Sequence, residues 1–123
     1  MYTLDTNAII YYLKGEKKAV SLLNKIFTQN RPIYISAITE LELFSFTDMS
    51  LAEIQQIEEI LKTLAIIPVD SRIARIAGNL RRNYRLKTPD SAIAATALFT
   101  NTTLITRNLR DFQKVPKLKI IKV

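Results

Sequence analysis

The 123-residue sequence has no cysteine and no histidine, and only two glycines and four prolines. Without cysteine there are no disulfides, no thiolate nucleophile and no Cys-ligated zinc. Without histidine the usual imidazole base and the commonest transition-metal ligand are gone. Any catalysis must rest on carboxylates, lysine, hydroxyls or a hard cation. Missing cysteines fit a reducing compartment. With so little glycine and proline, no linker, low-complexity tract or internal repeat marks a boundary, so residues 1–123 are expected to form one domain. No run approaches the roughly 18 apolar residues of a membrane helix. The stretch Ala8 to Leu13 is ended by Lys14, and Met1-Tyr2-Thr3-Leu4-Asp5 has no basic segment leading into a long apolar one. The expectation is a soluble, cytoplasmic protein without membrane association.

With 48% apolar and 24% charged positions, the chain has the balance of an ordinary globular domain, one that buries roughly two-thirds of its unfolded surface. Its net charge of +7 is unevenly spread. Residues 1–71 hold six basic and nine acidic side chains, whereas residues 72–123 hold twelve basic and two acidic. Arg72, Arg75, Arg81, Arg82, Arg85 and Lys87 crowd one stretch; Arg107, Arg110, Lys114, Lys117, Lys119 and Lys122 crowd another. Either cluster alone fits a solvated helix face or guarded edge strand. Together, opposite an acidic half, they equally fit a surface for a polyanion such as nucleic acid.

Periodicity alternates between strand and helix. Tyr2-Thr3-Leu4 predicts a short strand; Asn7 to Leu13 and Glu16 to Phe27 carry apolar residues at helical spacing, separated by Gly15. Pro32 to Ser36 predicts the second strand. A helix follows from Ala37, and Ser50 is an N-cap for Leu51 to Thr63. Leu64 to Val69 predicts a third strand, with Asp70 or Ser71 capping a helix that turns arginines outward. Thr88-Pro89 predicts a hydroxyl cap followed by proline at the first helical position. Ala92, Ala94, Ala95 and Ala97 on that helix are small enough for close approach to a sheet. Thr103 to Thr106 is a fourth strand, Arg107 to Phe112 a short turn or helix, and Lys119-Ile120-Ile121 a last strand. Such alternation predicts an α/β three-layer sandwich around a central, mainly parallel sheet of about five strands.

Ligands of open parallel sheets gather beyond the carboxyl ends of the strands. Asp5 follows the first predicted strand; Ser36, Glu40 and Glu42 the second; Asp70 the third; Thr106, Asn108 and Asp111 the fourth. Asp90 lies in the first turn of the alanine-rich helix. Singly, each acid is explained as a cap or first-turn residue suited to the helix dipole. Jointly they form a repulsive cluster, which takes up protons or costs stability unless a divalent cation is present.

The segments Leu4-Asp5-Thr6-Asn7, Ile35-Ser36-Ala37-Ile38-Thr39-Glu40-Leu41-Glu42-Leu43, Thr88-Pro89-Asp90-Ser91-Ala92-Ile93-Ala94-Ala95-Thr96-Ala97 and Leu104-Ile105-Thr106-Arg107-Asn108-Leu109-Arg110-Asp111-Phe112 resemble the PIN-domain family. The branch they are most similar to is the VapC-type ribonuclease toxins of toxin-antitoxin pairs. The resemblance implies a single PIN-like domain and a metal-dependent endoribonuclease whose acids hold Mg²⁺ or Mn²⁺. Asp5 and Asp90 match the first and third acids of the pattern. Glu42 matches the second, with Glu40 its competitor. At the fourth, where an aspartate is common, this chain has Asn108, with Asp111 three residues later. The Thr6, Asn7, Ser36 and Thr106 side chains would orient the acids or waters.

In the mechanism so implied, Asp5, Glu42 and Asp90 hold one ion, and a second leans on Asp90 with Asn108 or Asp111. Water attack then leaves a 5′-phosphate and a 3′-hydroxyl. Arg81, Arg82, Arg85, Lys87, Arg107 and Arg110 are candidates to hold the RNA backbone. The resemblance also implies a cognate antitoxin and a homodimer, and Leu43, Phe44 and Phe46 offer apolar surface for another chain or for the core. The alternatives are a catalytically inactive RNA-binding module and a receiver-type signalling domain.

Overall fold

Residues with stiff or aromatic side chains supply most of the strands, because such side chains suit a pleated surface. The computed structural model describes residues 1–123. It contains strands β1 (Tyr2–Leu4), β2 (Ile33–Ser36), β3 (Ala65–Ile67), β4 (Thr103–Thr106) and β5 (Ile120–Lys122). All pair in parallel, in the order β3-β2-β1-β4-β5. The chain builds outward from central β1 through β2 to β3, then returns to the other side of β1 for β4 and β5. That reversal opens a crevice between the carboxyl ends of β1 and β4, the place where such sheets bind ligands.

Seven helices complete the fold: α1 (Thr6–Leu13), α2 (Lys17–Phe27), α3 (Ala37–Leu43), α4 (Leu51–Leu61), α5 (Ser71–Tyr84), α6 (Thr88–Thr100) and α7 (Leu109–Phe112). Their starts are locally encoded. Asp5, Ser36, Asp70 and Asn108 each accept a backbone N–H of the helix that follows, and Ser50 and Glu53 form a reciprocal capping box. One apolar layer joins α1, α2 and α4 to Leu4, Ile33, Ile35 and Ile105. The other joins α5, α6 and α7 to Leu104 and Leu118. The result is the expected three-layer sandwich, and no helix is long and apolar enough to cross a membrane.

Helix α6 packs on β1, β2 and β4. Every residue from Ser91 to Ala97 is buried, so the alanines do bring helix and sheet together. Its start departs from expectation. Lys87, not Thr88, is the cap residue, and Pro89 is the second helical residue. The helix register begins at the Lys87 carbonyl, which accepts the Ser91 N–H at 2.9 Å, while the Thr88 carbonyl accepts the Ser91 hydroxyl at 2.7 Å. The preceding turn fixes that register: Arg85 is left-handed (φ 58°), an uncommon conformation for a side chain of this size, and Arg81 Nε donates to the Leu86 carbonyl at 3.0 Å. This tight reversal carries the first turn of α6, and with it Asp90, to the crevice.

Candidate active site

Asp5 leaves the sheet at the end of β1, and the fold uses both of its oxygens. Oδ1 accepts the Thr6 N–H at 2.8 Å, capping α1; Oδ2 accepts the Thr106 hydroxyl at 2.7 Å, across the crevice from the end of β4. The residue is 4% exposed. Burial above all, then the charges of Asp90 and Glu42, push its pKa up to about 6 against the opposing pull of its two hydrogen bonds. A largely desolvated anion facing other anions is an expensive arrangement, and the cost is concentrated at this one carboxylate.

Thr6 ties α3 into the cluster. Its hydroxyl donates to Glu42 Oε1 at 2.6 Å and lies 3.1 Å from the Thr39 hydroxyl. Glu42 therefore faces the crevice, and its charge raises the pKa of both Asp5 and Asp90. Of the two candidates Glu40 and Glu42, this hydrogen bond brings Glu42 to the cluster. Half-buried Asp90 is also shifted upward, by desolvation first and then by Asp111 and Glu42, with Lys87 and Lys114 opposing.

Asn108 and Asp111 are hydrogen-bonded to each other. Asn108 Nδ2 donates to Asp111 Oδ2 at 3.0 Å and Asn108 Oδ1 accepts the Asp111 N–H at 3.4 Å. Lys114 Nζ lies 3.5 Å from Asp111 Oδ1. The Asn108 bond, followed by the lysine, lowers the Asp111 pKa. Thr106 links this pair to the buried acid: its oxygen accepts the Asn108 N–H at 2.9 Å while its proton goes to Asp5.

Other residues singled out in the sequence make their hydrogen bonds outside the acid cluster. Ser36 is buried but serves the fold, accepting the Ile38 N–H at 3.1 Å to cap α3. Asn7 Oδ1 accepts the Arg107 N–H at 3.4 Å, joining α1 to the loop after β4. Asp70 caps α5 and pairs with Arg72, and its pKa is lowered chiefly by the Ile73 N–H. Arg107 is committed within the fold: its guanidinium lies 4.0 Å over the Tyr11 ring, Nε donates to the Val123 carbonyl at 3.1 Å, and it pairs with Glu16. Arg81 is held by the Leu86 carbonyl, while Arg82, Arg85, Lys87 and Arg110 are exposed. Sequence reasoning passed over Lys114 as a cation of the site. The available signal was its spacing of three residues from Asp111.

Every donor in the crevice is a hard oxygen or an amide, which suits Mg²⁺ or Mn²⁺ and not a soft metal. No three of the acids close around one point by themselves. Mg²⁺ takes one or two carboxylates and keeps several waters, so an open donor set of this kind fits it.

A five-stranded parallel sheet with acids converging at its switch point defines a class of protein, and the sequence profile of the PIN domain matches residues 2–118. The chain belongs to the PIN domain family, which removes the receiver-type alternative. It is 32% identical to ribonuclease VapC19 of Mycobacterium tuberculosis, over 97% of this chain and 98% of that protein. It is 28% identical to the tRNA(fMet)-specific endonuclease VapC of Salmonella typhimurium, over 97% and 95%. Among solved structures, VapBC2 from Rickettsia felis bound to a promoter DNA fragment superposes with a TM-score of 0.85 at 26% identity, covering 99% of this chain and 98% of that one. A toxin-antitoxin complex from Klebsiella pneumoniae gives 0.81 at 32% identity, covering 98% and 96%.

Proposed function

We propose that this PIN-domain chain is the endoribonuclease toxin of a toxin-antitoxin pair, acting in the cytoplasm on RNA phosphodiesters with Mg²⁺ or Mn²⁺. The observation that carries the reading is the buried Asp5 carboxylate, kept among like charges at the switch point of the sheet. Stability alone would not select such a placement. Asp5, Glu42 and Asp90 are the acids that would hold the ion, one or two of them directly and the rest through its waters, with Asn108 and Asp111 on the β4 side. When bound, the ion neutralises phosphate charge and lowers the pKa of water.

The chain's own groups do the rest. Thr106 and Thr6 fix the rotamers of Asp5 and Glu42 through short hydrogen bonds. Lys87 and Lys114, whose charges reach Asp90, offset the charge of an incoming phosphodiester, and Arg82, Arg85 and Arg110 extend that field along the backbone. Water oxygen adds to phosphorus, the P–O3′ bond breaks, and a proton ends on the leaving 3′ oxygen, giving a 5′-phosphate and a 3′-hydroxyl. Phe44, Phe46 and Leu51, all exposed, are apolar surface for the antitoxin or a second copy of the chain.

The test is incubation of the purified protein with structured RNA in Mn²⁺, in Mg²⁺ and in chelator, with end-group analysis. Metal-dependent cuts bearing 5′-phosphates are expected. Chelator-resistant cleavage with 2′,3′-cyclic ends would overturn the chemistry, and binding without cleavage would identify an inactive RNA-binding module.

A further inference from the structure

Helix α2 and edge strand β5 border an open, shallow surface groove of about 520 Å³ lined by Lys17, Lys18, Lys25 and Lys122 together with Ser21 and Val123, with Leu22 and Ile121 at its base. All four lysines are exposed, and none has an acid within ion-pair distance, although Lys62 and Lys114 elsewhere do. Edge protection explains Lys122 on β5, but the other three lie on a helix. Lys17 and Lys18 occupy the first turn of α2, which contains no acid. There the positive end of the helix dipole disfavours them. The capping acid Glu16 accepts the Lys18 N–H with Oε1 at 3.2 Å and pairs with Arg107 through Oε2, so its charge is engaged by the backbone and by Arg107 and pairs with neither lysine side chain.

The groove is connected to the acidic crevice through the sheet. Lys122 is the register partner of Thr106, whose hydroxyl bonds Asp5, and Lys17 follows the residue that grips Arg107, the neighbour of Asn108. We propose that this groove is a second phosphate track that holds single-stranded RNA backbone flanking the scissile bond, on the β5 side of the site. The inference rests on the reading of RNA as substrate. The lysines supply charge without base recognition, so the track adds affinity and reach and no sequence preference. Leu22 and Ile121 give it an apolar floor against which ribose or base can lie.

The test compares wild type with the combined Lys17→Gln, Lys18→Gln, Lys25→Gln and Lys122→Gln variant and with its all-arginine counterpart. Affinity for a long and a short fluorescent oligouridylate is measured in chelator across a salt series, and cleavage of both is measured in Mn²⁺. With the glutamine variant, the salt slope for the long RNA is expected to fall by about 0.7 for each phosphate left without its lysine. KM should rise for the long RNA alone, with kcat unchanged, and the arginine variant should keep the wild-type slope. An unchanged slope, equal losses on both lengths, or aggregation without loss of affinity would overturn the track. If wild type cuts neither oligouridylate nor the structured RNA of the function test yet the lysine-dependent slope is seen, the track stands and the nuclease reading falls. If wild type cuts and the slope does not move, the track falls alone.

Discussion

Raising the pH should weaken the metal-free protein in a window that ordinary carboxylates leave flat. The Asp5 pKa is raised from 3.8 to about 6 on folding, so the native state holds this proton more tightly than the unfolded chain does. Stability from Asp5 is therefore fully present below the unfolded value and is lost as pH climbs through the folded one. At 1.36 kcal/mol per unit the whole effect is about 3 kcal/mol, of which about 1.4 kcal/mol is lost between pH 5 and 8. Asp90, also shifted upward, adds loss in the same direction. Glu16, Asp70 and Asp111 are shifted downward. Their contribution is present above the ordinary carboxylate value and disappears only at lower pH, outside this window. Urea unfolding in chelator at pH 5, 6, 7 and 8 is the assay. Asp5→Asn should remove most of the slope, and Mn²⁺ at about 100 times its Kd should return about 2.7 kcal/mol at pH 8. A wild-type stability that stays flat or rises from pH 5 to 8 in chelator would refute the electrostatic account of the site, as would an unchanged slope in Asp5→Asn.

Asp90→Asn should lower cleavage by at least about 100-fold without loss of stability at pH 8, because it removes a charge from a repulsive group; RNA gel assays and urea melts check both. Asn108→Asp should tighten Mn²⁺ binding, read by calorimetry, while lowering chelator stability by about 1 kcal/mol as Asp111 loses its donor and gains a like charge. Thr6→Val should weaken Mn²⁺ binding by about 10-fold by freeing Glu42, with the fold intact by circular dichroism. Ala95→Leu, at a fully buried position of α6 in the apolar layer shared with α5, should cost about 1–3 kcal/mol in urea melts through overpacking.

The order of strands and helices was legible because each element declares itself locally. β-branched runs end at capping residues, and Asp5, Ser36, Ser50 and Asp70 cap the helices they precede. The same locality made the acids at the strand ends visible. What escaped depends on contacts between distant segments. Glu42 and Glu40 are equivalent to any rule of helical phase; the Thr6 hydroxyl, thirty-six residues away, distinguishes them. Arg107 belongs to a basic cluster in sequence, yet Tyr11, Glu16 and Val123 hold it inside the fold. The start of α6 differs from the expected one because a left-handed arginine upstream sets the helix register, and no local preference of Thr88 or Pro89 reports that. Of the apolar trio after β2, Leu43 is core while Phe44 and Phe46 are exposed, a division made by the end of α3 at Leu43.

The bond between Asp5 and Thr106 spans 101 positions, and this has a consequence during synthesis. A ribosome emits the first partner early and the second only after β2, β3 and the helices between them have emerged. At roughly 5–20 residues per second, the nascent polypeptide spends several seconds with one wall of the acidic crevice absent. On the proposed function, a product truncated or stalled before Thr103 is expected to lack nuclease activity, which would begin only when β4 slides in beside β1.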